Sequence, residues 1–196
     1  MKKILILAAA MLLTINVFAE TIPASVSRVV YVGRTWVEGT DVSFDWTATY
    51  FRIAFSGESL TMKASETKWD ADADKAATRH NYYNVWIDSP TSAEPHRIIE
   101  VAGNDTVIEL IDPMYLKKSR RAVHEVIVQK RTEGEQGKTT IHEFATNKKG
   151  KFFQAEPLKV RQLEFIGDSY TCGYGIDAKS RLERFSPETE NASRSY

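Results

Sequence analysis

The sequence predicts an all-β sandwich or jelly roll, followed by the opening of an incomplete α/β domain. Roughly nine short β-branched and aromatic runs fill residues 28–147 and are separated by turn residues such as Gly57 and Pro90. No long amphipathic helix pattern interrupts them. Beyond residue 160, an apolar run leads into a glycine-rich turn and then a helix start, which is how an α/β unit begins.

Length and composition limit the possible functions. The chain has 196 residues with 26 basic and 26 acidic side chains, and its apolar (42%) and charged (27%) fractions are typical of a folded globular protein. Zero formal net charge argues against a nucleic-acid partner. The single cysteine, Cys172, excludes an intramolecular disulfide and a multi-cysteine zinc site, and we expect a partly buried free thiol. No histidine pair has zinc-helix spacing, so we expect neither metal nor cofactor.

The N-terminus has the layout of a secretory signal peptide. Met1-Lys2-Lys3 precedes an apolar run from Ile4 to Ile15, and Val17-Phe18-Ala19 places small residues at the positions that a signal peptidase reads. We expect cleavage after Ala19 to remove residues 1–19. The mature chain, with a net charge of −2, would then be secreted or periplasmic and free of the membrane. The alternative is a retained anchor, for which the run is short and sharply ended.

The β-rich region is long enough to bury a core of its own. Alternation places Phe51, Ile53 and Phe55 on one strand face, and it pairs Phe44 with Trp46 on another. The candidate strands are Val29–Val32, Val42–Trp46, Tyr50–Phe55, Ser59–Lys63, Tyr82–Ile87, Arg97–Val101, Thr106–Ile111, Ala122–Lys130 and Thr139–Ala145.

Changes in composition mark the domain boundaries. We assign residues 20–150 to the sandwich and the lysine-rich residues 151–160 to a linker or a surface strap. Residues 161–196 would be the first part of a second domain. It opens with an apolar strand over Arg161–Ile166, and Ser186-Pro187-Glu188 has the capping serine, proline and acid of a helix start.

Two patterns resemble ligand loops but have simpler interpretations. Gln136-Gly137-Lys138-Thr139 resembles the tail of a phosphate-binding loop, but Thr132 stands where that loop needs a glycine, so we expect a hairpin turn. Asp70 to Asp74 (DADAD) resembles the opening of a calcium loop, but Lys75 stands where a glycine should follow. A solvated acidic loop is favoured there, and a weak surface ion site is the alternative.

The histidines and tryptophans also have a structural and a functional interpretation. His124 and His142 lie on predicted strand faces, where hydrogen-bonded face or core residues are commoner than ligands. Tryptophans in a small sandwich usually belong to its core, and a sugar-stacking platform is the alternative. The four are Trp36, Trp46, Trp69 and Trp86.

The most specific segment is Leu163 to Gly175, which reads LEFIGDSYTCGYG. A buried strand feeding a turn would present Ser169 at its carboxyl end, where open α/β sheets place their active sites. Gly167 would permit the tight exit from that strand. A serine in this place exposes its hydroxyl, while its backbone N–H points at a developing oxyanion.

The block G-D-S-x-T-x-G-x-G resembles the first sequence block of the SGNH (GDSL-type) hydrolases, and more narrowly carbohydrate esterase family 2. Other stretches that resemble the family are Tyr31–Arg34, Val42–Trp46, Asn81–Val85, Lys130–Gly134 and Thr189–Ala192. The resemblance implies a jelly-roll domain followed by a flavodoxin-like hydrolase domain that removes acetyl groups from plant polysaccharides such as xylan or glucomannan. It implies that Ser169 is the nucleophile and an oxyanion donor. Asp168 would support the turn.

The resemblance also implies parts that this chain lacks. The family takes its base from a late D-x-x-H block, but no histidine follows His142, so the base is not in this chain. We expect an N-terminal fragment of a longer esterase that is inactive alone, because a serine hydroxyl without a base is a poor nucleophile. The alternatives are a genuine truncated product, a non-catalytic carbohydrate-binding sandwich with a remnant esterase tail, and an envelope-protein module.

Overall fold

The computed structural model describes residues 19–68, 79–91, 93–161, 163–184 and 186–194. The strands are β1 (Ala19–Pro23), β2 (Val30–Val32), β3 (Trp36–Glu38), β4 (Asp41–Phe44), β5 (Tyr50–Phe55), β6 (Leu60–Thr67), β7 (Asn81–Ile87), β8 (Arg97–Val101), β9 (Thr106–Glu109), β10 (His124–Lys130), β11 (Lys138–Lys148) and β12 (Phe152–Phe153). The helices are α1 (Pro113–Lys118) and the short 3-10 helices η1 (Gly134–Gln136), η2 (Pro187–Thr189) and η3 (Ala192–Arg194).

The strands form two six-stranded antiparallel sheets, which confirms the predicted β-sandwich. The first sheet has the order β3-β4-β11-β6-β9, with β1 also paired to β11. The second sheet has the order β12-β5-β10-β7-β8, with β2 also paired to β5. Among the described residues, no helix has the length and apolar character needed to cross a membrane.

Alternating side chains from both sheets fill the core. Phe51, Ile53 and Phe55 of β5 are all buried, so their predicted common face is confirmed. The ring of Phe51 lies 5.2 Å from that of Phe144 in β11, and this contact joins the second sheet to the first. Burial of such apolar surface supplies most of the driving force for folding.

The segment between β10 and β11 crosses from one sheet to the other. The predicted hairpin at Gln136–Thr139 is therefore wrong: β10 belongs to the second sheet and β11 to the first, with η1 between them. Gly137 has a φ of 118°, and a Cβ there would lie 2.5 Å from the Thr67 carbonyl oxygen. Only glycine fits this passage between the sheets.

Two tryptophans lie on the surface rather than in the predicted core. Trp86 is fully buried, but Trp36 is 72% exposed and Trp46 is 57% exposed. Trp46 does not share the buried face of Phe44, because β4 ends at Phe44 and the chain turns there. Trp69 and the acidic run at residues 70–74 lie outside the described residues.

The stretch predicted as a linker begins as part of the sandwich. β12 lies within residues 151–160 and pairs with β5. Ala155 is buried, and its N–H donates to the Arg28 carbonyl at 3.1 Å. The beginning of this stretch is therefore a strap along the sandwich, which was one of the two options given by the sequence.

Both elements predicted for the second domain differ from the structure. Arg161 and residues 163–166, the described part of Arg161–Ile166, are not in a strand, and Leu163 and Ile166 are 78% and 90% exposed. A strand needs a neighbour for its backbone groups, and none of the described residues pairs with this segment. The helix at Ser186 ends after η2, because Glu190 is extended and the carbonyls of Glu188 and Glu190 accept hydrogen bonds from Arg131 instead.

Candidate active site

Ser169 lies at the start of a compact turn. Tyr170 N donates to Asp168 Oδ1 at 3.0 Å, which closes an Asx turn. Tyr174 N then donates to the Ser169 carbonyl at 3.0 Å. The Asp168 side chain is thus used to shape the turn that presents the serine.

The functional groups of Ser169 are available to a substrate. The residue is exposed. Within the described part of the chain, neither its Oγ nor its backbone N–H has a hydrogen-bond partner. The hydroxyl is therefore open to a reacting carbonyl, and the N–H is open to an oxyanion.

Two glycines in the block are required by geometry. A Cβ added at Gly167 would overlap the hydroxyl of Thr171, so the chain leaves residue 167 too tightly for any other side chain. Gly173 has a φ of 72°, in the left-handed region that glycine enters without strain.

The thiol of Cys172 fastens the turn to the sandwich. It is free and buried, and its Sγ lies 2.8 Å from Glu133 Oε1 and 3.2 Å from the Ser169 carbonyl oxygen. Burial, followed by the Glu133 carboxylate, raises the pKa of this thiol to about 12. Cys172 is thus protonated at neutral pH and donates to Glu133 as a neutral thiol.

Arg131 makes a second attachment between the sandwich and the turn. Its side chain is almost completely buried. Nη2 donates to Asp177 Oδ2 at 2.8 Å, and Nε donates to the Glu190 carbonyl at 2.9 Å. Nη1 donates to Asn84 Oδ1 at 2.9 Å. The guanidinium fork therefore binds the sandwich and the serine-bearing segment together, a geometry that lysine cannot reproduce.

Asn84 extends this contact along β7. Its Nδ2 donates to Asn191 Oδ1 at 2.9 Å and to Ser193 Oγ at 3.0 Å. Asn191 N in turn donates to the Gly173 carbonyl at 3.1 Å. The segment after η2 is thus held between the sandwich and residues 168–177, which we call the serine turn.

Glu190 is a buried acid in the same interface. Its Oε2 accepts the backbone N–H of Glu133 at 2.7 Å. Burial is the main cause that raises the pKa of Glu190 to about 8, against the lowering effect of the hydrogen bond from the Glu133 N–H. The charges of Glu133 and Glu135 raise this pKa further, and that of Lys130 lowers it. Burial also lowers the pKa of Lys130 to about 7.

Each histidine of the chain lies on the sandwich. His124 Nδ1 is 2.7 Å from Asp88 Oδ2, and His80 Nδ1 is 2.8 Å from Glu66 Oε2. His96 packs edge-on against Tyr115. The prediction that His124 is a hydrogen-bonded structural residue is therefore confirmed.

His142 lies in a row that has the order of a catalytic triad. Its Nε2 is 2.8 Å from Ser65 Oγ, and its Nδ1 is 2.9 Å from Asp41 Oδ2. Ser65 Oγ also accepts the backbone N–H of Asp105 at 2.8 Å, so the hydroxyl is already held within the sheet. The row ties β4, β11 and β6 together, which agrees with the structural role predicted for His142.

The described residues contain no group of three or more His, Cys, Asp or Glu side chains placed to hold a metal ion. Sequence reasoning missed the roles of Arg131, Glu133 and Glu190. The available signal was the pair of charged residues Arg131 and Glu133 directly after β10.

Comparison with known proteins assigns the chain to a family. The sequence profile of the family described as "Carbohydrate esterase 2 N-terminal" matches residues 31–156, which is more than half of the chain. "Acetylxylan esterase / glucomannan deacetylase" from Cellvibrio japonicus (strain Ueda107) is 28% identical over 180 residues, covering 89% of this chain and 43% of the relative.

Solved structures share the fold. A family two carbohydrate esterase from Cellvibrio japonicus superposes with a TM-score of 0.72 at 23% identity, covering 91% of this chain and 47% of that chain. A family two carbohydrate esterase from Clostridium thermocellum, in complex with cellohexaose, gives a TM-score of 0.69 at 23% identity, covering 86% and 46%. This chain spans less than half the length of these relatives. It belongs to the carbohydrate esterase 2 N-terminal family.

Proposed function

We propose that this chain is the N-terminal part of a secreted carbohydrate O-acetyl esterase in which Ser169 is the nucleophile. The observation that carries the proposal is the serine turn itself. It presents an unpaired hydroxyl and an unpaired N–H on one residue within the described structure, and buried contacts fasten the turn to the sandwich. The relatives support the reaction class, since they are carbohydrate esterases.

The chemistry is acyl transfer through the serine. Ser169 Oγ attacks the acetyl carbonyl while a base accepts its proton, and the Ser169 N–H donates to the oxyanion that forms. The sugar hydroxyl leaves with the proton, and water then releases acetate and regenerates the serine. No histidine follows His142 in this sequence, so we place the base in a part of the protein beyond this chain.

The proposed substrate is an acetylated plant polysaccharide of the xylan or glucomannan type. The name of the Cellvibrio relative, an acetylxylan esterase and glucomannan deacetylase, supports this substrate class. A neutral sugar polymer also agrees with the balanced charge of the chain.

Export would deliver the protein to such a polysaccharide. The proposed cleavage after Ala19 leaves β1 nearly whole, since Ala19 is its first residue and the other four remain in the mature chain. Glu20 keeps its place, because its carboxylate accepts the Phe152 N–H at 2.6 Å and pairs with Arg28 at 2.9 Å. Intact mass of the protein from a secreting host should give a chain that starts at Glu20, and a chain that retains Met1 would contradict this proposal.

The test of function is acetate release from acetylated xylan by the protein expressed from its natural gene, including any coding sequence beyond residue 196. We expect turnover in the wild type and its loss in Ser169→Ala. Ser180→Ala is the matched control, since Ser180 is also exposed and lies in the same segment. The 196-residue chain alone should show no turnover, because we place the base for Ser169 beyond this chain. Turnover by Ser169→Ala would refute the proposed nucleophile.

One observation favours the second candidate, a non-catalytic carbohydrate-binding sandwich. Trp36 and Trp46 are exposed, and the Arg34 guanidinium lies 4.9 Å from the ring centre of Trp46. Exposed aromatic rings of this kind can stack on sugars. Calorimetric binding of xylo- or cello-oligosaccharide to the chain, lost in Trp36→Ala or Trp46→Ala, would support this candidate, and a flat trace would leave the sandwich as a structural partner.

A further inference from the structure

The serine turn is attached to the sandwich at both of its ends. Near the serine, the Cys172 thiol donates to Glu133 Oε1 at 2.8 Å. At the far end, Asp177 Oδ2 accepts from Arg131 Nη2 at 2.8 Å. The two anchoring residues of the sandwich stand two positions apart in the segment that directly follows β10, with the buried Thr132 between them.

The segment from Arg131 to Glu133 is fixed by hydrogen bonds to β7. Thr132, which lies between the two anchors, is fully buried, and its Oγ1 donates to Asn81 Oδ1 at 3.1 Å. Arg131 N donates to the Tyr82 carbonyl at 2.9 Å. The anchors therefore continue the hydrogen bonding between β10 and β7 and do not belong to a free loop.

Much of the connecting chain is exposed. Leu163 and Ile166 are largely exposed, and no regular element forms between β12 and the turn in the described residues. Arg34 and Glu164 form an ion pair at 3.2 Å, but both side chains are about two-thirds exposed. Exposed pairs contribute little to stability. The contacts of Cys172 and Arg131 are therefore buried attachments of the turn to the sandwich.

We propose that Arg131 and Glu133 are positioning residues for Ser169, so that the sandwich is the frame that fixes the serine turn. This inference rests on the proposed role of Ser169 as nucleophile. A nucleophile must be held within a fraction of an ångström of its productive position, and residues that hold it from a rigid element affect the rate as strongly as direct contacts do.

The packing of the serine turn against the sandwich, which we call docking, can be followed through a residue of the chain itself. Cys172 is the single cysteine, and it is buried where the turn packs against Glu133. Docking also keeps its pKa near 12, so few thiolates are present for alkylation. A turn that lifts off the sandwich exposes the thiol and returns its pKa to the ordinary range.

The experiment measures the rate at which a maleimide alkylates Cys172 in the folded 196-residue chain, read by intact mass at pH 7. Arg131→Lys keeps the charge but loses the fork, and Asp177→Asn weakens the same contact from the segment side without altering the sandwich. We expect both variants to label at least about tenfold faster than wild type. Arg28→Lys is the control, because the Arg28 side chain also makes two hydrogen bonds, to Glu20 and to the Phe152 carbonyl, both within the sandwich.

Two further readouts separate positioning from general stability. The melting temperature of the sandwich, followed by circular dichroism, should change little in Asp177→Asn. In the esterase expressed from the whole gene, Arg131→Lys should lower kcat by about tenfold or more and leave KM nearly unchanged.

Unchanged labelling in both variants would overturn the inference, and so would faster labelling with an unchanged kcat. Full turnover by Ser169→Ala would instead refute the proposed function, and the labelling rates would still decide whether the sandwich fixes the turn.

Discussion

Arg131 Nη2 donates a 2.8 Å hydrogen bond to Asp177 Oδ2, and this contact joins the residue after β10 to the segment that carries Ser169. Arg131 stands 46 positions before Asp177 in the sequence, and its side chain is only 2% exposed in this pair. The sandwich and the serine turn are thus one packed unit around a guanidinium. This relationship leads to predictions about the turn, the interface and the core.

We expect Asp168 to stabilise the serine turn and to take no part in proton transfer. Asp168→Asn keeps the oxygen that accepts the Tyr170 N–H, whereas Asp168→Ala removes it. Loss of one such hydrogen bond costs about 1 kcal/mol. We therefore expect Asp168→Ala to speed maleimide labelling of Cys172 by roughly fivefold and Asp168→Asn to label at the wild-type rate. An Asn variant that keeps slow labelling but loses ester turnover would show that the carboxylate takes part in the chemistry.

Docking of the turn should weaken as the pH rises. The pKa of Glu190 is raised to about 8 in the folded protein, mainly by burial, so the docked state binds a proton more tightly than the open state does. The resulting stabilisation is complete below the ordinary glutamate pKa and is lost as the pH rises to about 8. The amide resonance of Asn191, which donates to the Gly173 carbonyl, reports docking by NMR between pH 5 and 9.

Glu190→Gln removes the titrating group from that interface. We therefore expect the Asn191 amide resonance of this variant to change little between pH 5 and 9. Glu188→Gln is the matched control, since Glu188 is exposed. An Asn191 resonance with the same pH dependence in wild type and Glu190→Gln would contradict the assignment of the effect to Glu190.

The contact between the two sheets should dominate the stability of the sandwich. Phe51 is fully buried against Phe144, so Phe51→Ala leaves a cavity and should lower the free energy of unfolding by about 3–5 kcal/mol. Phe153→Ala is the matched control, because Phe153 is 39% exposed and should cost much less. Urea denaturation followed by circular dichroism measures both, and equal losses would show that the core has been placed wrongly.

The sequence predicts the sandwich well because the sandwich rests on local alternation. Tyr50–Phe55 and Arg97–Val101 are strands with the predicted bounds, and the other candidates differ by a few residues at their ends. The crossing between β10 and β11 could not be predicted, because a glycine-containing turn has the same composition whether it joins neighbours or changes sheets. Trp46 was misplaced because the end of β4, two residues earlier, has no sequence signal.

The candidate site was predicted only in part. The block around Ser169 has a motif, and the structure presents that serine on an exposed turn as expected. The contacts of Arg131, Glu133 and Glu190 join residues that are 39 to 59 positions apart in the sequence. Charged residues are usually exposed to solvent, so nothing in the sequence marks these three as buried. The predicted strand over Arg161–Ile166 failed for a related reason, since a strand depends on a neighbour that its own residues do not specify.

The central claim is that Ser169 is a nucleophile, and covalent trapping tests it most directly. The protein expressed from its whole gene is treated with a fluorophosphonate, digested and mapped by mass spectrometry. We predict an adduct on Ser169 that acetylated xylan suppresses, with Ser65 and Ser180 unmodified. An adduct on Ser65, in the row with His142 and Asp41, or the absence of any adduct on Ser169 in a protein that hydrolyses acetyl esters, would contradict the claim.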